Sequence, residues 1–177
     1  MLIRPALPVD AQDLAVLGAR LWRETYEGLI PASDLESYLA EAFGSDRQAA
    51  ELADPAGRTL TIEVDGRLLG YAWLRACGPG GDPARLPFGR PLEVARFYVD
   101  QSLHGRGAAR SLMAAVLAHA ASAGHDWVWL QVWEENHRAL RFYAKAGFKD
   151  VGETVFLVGS LSYRDRLLVQ GLMAPVH

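Results

Sequence analysis

The stretch from His104 to Ala109 reads His-Gly-Arg-Gly-Ala-Ala and falls between a β-rich segment and an alanine-rich one. Glycines 105 and 107 let main chain come close to a ligand, and a helix starting just after them brings free amides and about half a positive charge to the same place. Phosphate is the guest that such a loop suits. A nucleoside triphosphate loop would need lysine and then Ser or Thr after its second glycine, where Ala108 and Ala109 stand. A dinucleotide fingerprint would need Gly or Ala three residues past Gly107, where Arg110 stands, although Glu134 and Glu135 beyond the next strand keep that alternative open. Downstream, Asn136, Ala139, Phe142, Tyr143, Gly147 and Phe148 follow in order along one amphipathic stretch.

These residues need elements to carry them. The strand Leu92 to Asp100 feeds the glycine loop, a helix over Ala108 to Ala123 leaves it, and Trp127 to Trp133 is a strand of aromatic and β-branched residues. Asn136 to Ala146 is predicted helical, with Gly147 at its end. Upstream, Asp10 caps a helix through Glu24, and Ser33 with Glu36 forms a capping-box pattern for a second helix to about Phe43. A third helix spans Asp46 to Ala53. Thr59 to Val64 and Leu68 to Arg75 read as a hairpin turning at Asp65 and Gly66, and Met1 to Arg4 as a short first strand. Gly78 to Pro91 is a loop, and the chain closes with strands Asp150 to Val158 and Arg164 to Gly171. The class is mixed α/β, and residues 1–177 are expected to form a single domain.

Composition narrows the function. With 18 Lys and Arg against 21 Asp and Glu, the net charge is −3, and the basic residues are scattered, so no nucleic-acid partner is expected. One cysteine, Cys77, and no His or Cys cluster at ligand spacing argue against a disulfide framework or a metal site. No apolar run approaches the roughly 20 residues of a membrane span, and the first ten residues lack a signal pattern, so a cytoplasmic protein without a membrane partner is expected.

The loop and the segment that follows it share a pattern. A basic or amide residue, two residues, Gly, one residue, then Gly or Ala, followed by the Asn136 to Phe148 series at matching spacings, resembles the GNAT superfamily of N-acetyltransferases. His104 stands where Gln or Arg is usual there. The likeness extends to Ser37–Phe43, Gly70–Leu74, Glu93–Val99, Trp129–Glu134 and Phe156–Gly159, which look like the polyamine acetyltransferase branch related to PaiA. The resemblance implies a mostly antiparallel, twisted sheet of about seven strands with a V-shaped splay, flanked by helices. It also implies acetyl-CoA as cofactor, with its pyrophosphate wrapped by the loop His104, Gly105, Arg106, Gly107, Ala108, Ala109, Arg110 and Ser111.

Further roles follow from the same likeness. Main chain at Phe97, Tyr98 and Val99 is expected to bulge or splay and to hold the thioester carbonyl, and Asn136 to cap its helix, to bind cofactor, or both. Tyr143 is the expected proton donor to the departing thiolate, whose conjugate acid has a pKa near 8.5. An amine with a pKa of about 10.4 must lose a proton before it attacks, and Glu93 is the first choice to accept it, with Glu134 and Glu135 in reserve; the alternative for Glu93 is an ion pair with Arg96. Trp22, Tyr26, Glu27 and the loop 78–91 are the expected acceptor lining. A small-molecule amine, such as a polyamine, is the expected partner, and a protein N-terminus or lysine, or a non-catalytic acyl-CoA sensor, are the alternatives. Final strands in that family pair or swap between subunits, so a homodimer is among the expected assemblies.

Overall fold

The computed structural model describes residues 1–76, 89–159 and 161–172. Cys77 and most of the loop 78–91, the loop expected to line the acceptor site, lie outside the described residues. Seven strands form one sheet in the order β1-β2-β3-β4-β5-β7-β6, where β1 is Leu2–Pro5, β2 Gly57–Val64, β3 Arg67–Arg75, β4 Pro91–Val99, β5 Trp127–Trp133, β6 Lys149–Val158 and β7 Leu161–Gly171. Every neighbouring pair is antiparallel except β4 and β5. That parallel pair is short. It joins Pro91 to Trp127, Leu92 to Val128 and Glu93 to Trp129, and then stops, while β4 stays paired to β3 and β5 to β7. From Val94 onward the two halves of the sheet part, as the expected splay requires.

Alternation along each strand sorts the side chains. Leu60 and Ile62 of β2, Ala72 and Leu74 of β3, and Val128, Leu130 and Val132 of β5 face the helices α4 (Ala108–Ser122) and α5 (His137–Lys145). Tyr71 and Trp73 face the other way, against Leu14, Leu17 and Leu21 of α1 (Ala11–Tyr26). Beside α1 lie α2 (Ala32–Phe43), whose Leu35, Leu39 and Phe43 pack on Trp22 and Val158, and α3 (Ser45–Ala53).

In β4 the alternation breaks once. Leu92 and Val94 face α4, then Phe97 and Val99 do, because Ala95 is an extra residue between Val94, opposite Leu74, and Arg96, opposite Trp73. The bulge reverses the parity of everything after it. It stands just where the pairing to β5 ends, two residues before the stretch Phe97–Val99 expected to carry it.

Local signals otherwise place the elements within a few residues. Asp65 (φ 51°) and Gly66 (φ 75°) make the two-residue turn of the β2–β3 hairpin. The capping box is a correction. Pro31 holds the N-cap of α2, Ser33 lies inside the helix, and Glu36 is drawn off by the Arg23 guanidinium at 2.7 and 2.8 Å. The helix begins one residue before Ser33, so the serine has no N-cap position to fill. Asp10 likewise makes no side-chain bond to α1; its carboxylate accepts from the Leu7 amide at 2.7 Å and pairs with Arg4.

Candidate active site

At the end of β4 the chain turns through Asp100, whose carboxylate accepts from the amide and hydroxyl of Ser102 at 2.9 and 2.6 Å and pairs with Arg20. Buried Leu103 pins the turn to the core. Gly105 and Gly107 then take φ of 75° and 78°, and a Cβ on either would meet nothing within 4 Å. The loop is therefore held open by backbone conformation rather than filled by neighbours. Gly107 caps α4, and the first bond of that helix runs from the Ser111 amide to the Gly107 carbonyl at 2.9 Å.

Among the described residues, the amides of Gly105, Gly107, Ala108, Ala109 and Arg110 donate to no protein acceptor. A row of free donors on a helix N-terminus fits a diphosphate. The amides of His104, Arg106 and Ser111 are already bonded, to Gln101, Leu103 and Gly107, which leaves those residues only their side chains to offer. His104 Nδ1 lies 3.2 Å from Nη1 of Arg138, an exposed guanidinium at the start of α5 that the sequence analysis missed. Its position two residues past Asn136 was the available signal. Asn136 caps α5, its Oδ1 accepting from the Ala139 amide at 3.1 Å, and the other end of its amide stays available.

Tyr143 is buried, with its ring gripped by Phe142, Phe148 and Phe97 at centroid distances of 5.2, 5.7 and 6.1 Å. Its hydroxyl has no hydrogen-bond partner among the described residues. Burial raises its pKa well above that of a free phenol, and the Tyr26 phenol, on the opposite side of the splay, adds to the shift. The phenol is thus a proton donor at neutral pH, held where the sheet has parted. Beside it, Phe97 stacks on Phe142 at 5.6 Å, Val99 joins the same core, and Tyr98 points the other way, 5.6 Å from Tyr71. The edge of β4 facing β5 has no strand partner at Phe97, Tyr98 and Val99.

Glu93 is not brought to this place. It lies on the face opposite Leu92 and Val94 where β4 and β5 still pair, with Arg75 Nε 2.5 Å from its Oε2. Four residues of strand, roughly 13 Å, separate it from Phe97. Arg96, the alternative partner considered for it, is instead buried against Glu51 at 2.5 Å. Glu134 meets Arg164 at 3.7 Å and Glu135 meets His137 at 3.6 Å.

On the α1 side, Trp22 is buried and lies against Tyr26 and Tyr38 at 4.3 and 4.4 Å, and Tyr26 approaches Trp133 at 5.9 Å. Glu27, one residue on, is exposed at the end of α1. Trp22, Tyr26, Trp133, Phe156, Tyr163 and Asp165 enclose a small pocket there. Asp165 also escaped the sequence analysis, since one acid in a late strand carries no local signal.

The molecule can be set beside known proteins. Residues 19–148 match the model of the Acetyltransferase (GNAT) family. An uncharacterised N-acetyltransferase of Mycobacterium bovis is 37% identical over 164 residues, 93% of this chain and 99% of that one. A mycothiol acetyltransferase of Clavibacter sepedonicus is 35% identical over 147 residues, 82% of this chain but 42% of its own length. In fold, the PaiA N-acetyltransferase of Thermoplasma acidophilum, solved with coenzyme A, superposes with a TM-score of 0.77 at 20% identity over 96% of this chain and 98% of that one. An N-acetyltransferase of Staphylococcus aureus gives 0.70 at 20% identity over 97% and 98%. The open glycine loop, the parted strands and these likenesses lead to one conclusion: the chain belongs to the GNAT family of acetyltransferases, whose acetyl donor is acetyl-CoA.

Proposed function

We propose that this protein acetylates the primary amine of a small molecule, with polyamines among the candidates, by direct attack in a ternary complex. The row of unpartnered amides at the start of α4 carries the reading, because it opens at the end of β4 where the sheet parts beside Tyr143. Bound acetyl-CoA supplies an activated acyl group. The amides of Gly105 and of residues 107–110 bind and orient its diphosphate, with Arg138, Arg106 and Arg110 adding positive charge at the rim. The free edge at Phe97–Val99 offers backbone donors to a developing oxyanion. Tyr143, kept protonated by burial, gives its proton to the sulfur as the thiolate leaves.

The proton leaving the amine has to be taken up on the α1 side of the sheet. Glu93 lies on that side, but Arg75 holds its carboxylate, so it reaches the amine only through water. Replacing Tyr143 by Phe should lower kcat on the order of 10²-fold with both KM values unchanged. Coenzyme A, but not NAD, should raise the melting temperature of wild type and of the variant alike, since a ligand that binds only the folded state stabilises it. Full turnover by Tyr143→Phe would remove that residue from the reaction, and protection by NAD alone would remove the acetyltransferase.

A further inference from the structure

Most buried acids of this protein are held by arginine: Asp10 by Arg4, Glu51 by Arg96, Glu93 by Arg75 and Asp100 by Arg20. Asp165 is not. It sits in β7 directly opposite Trp133, is 7% exposed, and its carboxylate makes no hydrogen bond or ion pair among the described residues. Two residues before it on the same strand, the Tyr163 hydroxyl is also buried without a hydrogen-bond partner among the described residues. Burying an acid unpaired is costly, and a fold seldom keeps one without a use.

We propose that this pocket is a receptor for an alkylammonium group, with Asp165 as its counter-ion and Trp22, Tyr26, Trp133 and Tyr163 as its walls. Electron-rich ring faces and one carboxylate in a narrow, mostly apolar slot are what a compact organic cation selects. Burial first, then the charge of Glu134, lift the Asp165 pKa to about 6, so near neutrality the acid carries a charge that only an incoming cation would offset. Tyr26, a wall of this pocket, is also the phenol whose charge adds to the raised Tyr143 pKa, which sets the pocket beside the transfer centre.

The inference rests on the proposed function and names its substrate class: slim primary amines, including diamines and polyamines, whose cationic end has no carboxylate beside it. Asp165 and Glu134 together repel an α-amino acid.

Methylammonium and methanol are close in size, small enough for this narrow pocket, and differ in charge, and without acetyl-CoA neither reacts. Trp22 and Trp133 line the pocket, so tryptophan fluorescence reports binding directly. In wild type, methylammonium should bind at least tenfold more tightly than methanol and compete with a longer amine substrate but not with acetyl-CoA. Asp165→Asn should weaken methylammonium at least tenfold and raise the amine KM at least tenfold, leaving the acetyl-CoA KM unchanged. Equal affinity for the two probes in wild type, which needs no variant to fold, overturns the proposal, as does unaltered methylammonium binding by Asp165→Asn. Acetylation of amines without methylammonium binding would defeat this inference alone; methylammonium binding without acetylation of any amine would defeat the proposed function alone.

Discussion

A carboxylate lifted to about 6 by burial makes stability depend on pH in the opposite sense to a salt-bridged acid. Asp165 holds its proton more tightly in the folded chain than in the unfolded one, where its pKa is about 3.8. Its contribution is therefore most favourable below pH 4 and is lost as pH rises through 6, by an amount on the order of 2–3 kcal/mol. Tyr26 of α1, Tyr38 of α2, Tyr163 of β7 and Glu134 past β5 face it. Asp10 and Asp150, held down by Arg4 and Arg166, act in the reverse direction, so the whole-protein curve mixes both. The difference between wild type and Asp165→Asn isolates the effect. Urea unfolding should find the variant more stable at pH 8, with the gap shrinking towards pH 4. Tyr143 could be singled out from its sequence position, because its neighbours in the chain are its neighbours in the site; Asp165 could not, because what sets its character comes from α1, β5 and β6.

At the scale of elements, the loop and helix from His104 to Ser111 act as one device. Its glycines serve conformation, and open space surrounds them. Gly107→Ala should thus cost about 1–2 kcal/mol of stability, the penalty of a left-handed residue with a Cβ, and no clash should add to it. Its effect on function should be larger. Acetyl-CoA KM is expected to rise at least tenfold while the amine KM holds, as initial-rate kinetics with each substrate varied would show. This device was readable in the sequence because strand, glycines and helix are contiguous. The bulge at Ala95 was readable only as a family expectation for a stretch two residues later, since a bulge is set by pairing with β3. Ser33 and Glu36 mark the converse case, a correct helix inferred from a cap that does not form, because the helix already starts at Ala32 behind Pro31.

For the molecule as a whole, the α1–α3 layer is bolted to the sheet by one buried charge pair. Arg96 donates to both oxygens of Glu51, at 2.5 and 3.1 Å, and to the Ala42 carbonyl at 2.9 Å, between the rings of Phe43 and Trp73. Removing one partner leaves the other charge buried, which costs about 3–5 kcal/mol. Glu51→Gln should show that loss in denaturant unfolding, far more than Glu24→Gln, whose bond to Arg20 is exposed. The layer so fixed carries Trp22 and Tyr26, so the acceptor wall depends on a contact remote from it.

The sequence by itself determined the order of elements, the glycine loop, the two-residue hairpin turn at Asp65 and Gly66, and the family to which they lead. Hydrophobic periodicity and glycine conformation are local, and a single chain displays them. Tertiary structure alone decided which acids are spent on arginines and which one is left over, where the two halves of the sheet separate, and which rings close around Asp165. Those outcomes depend on desolvation and on partners distant in the chain, and no spacing of residues encodes either one.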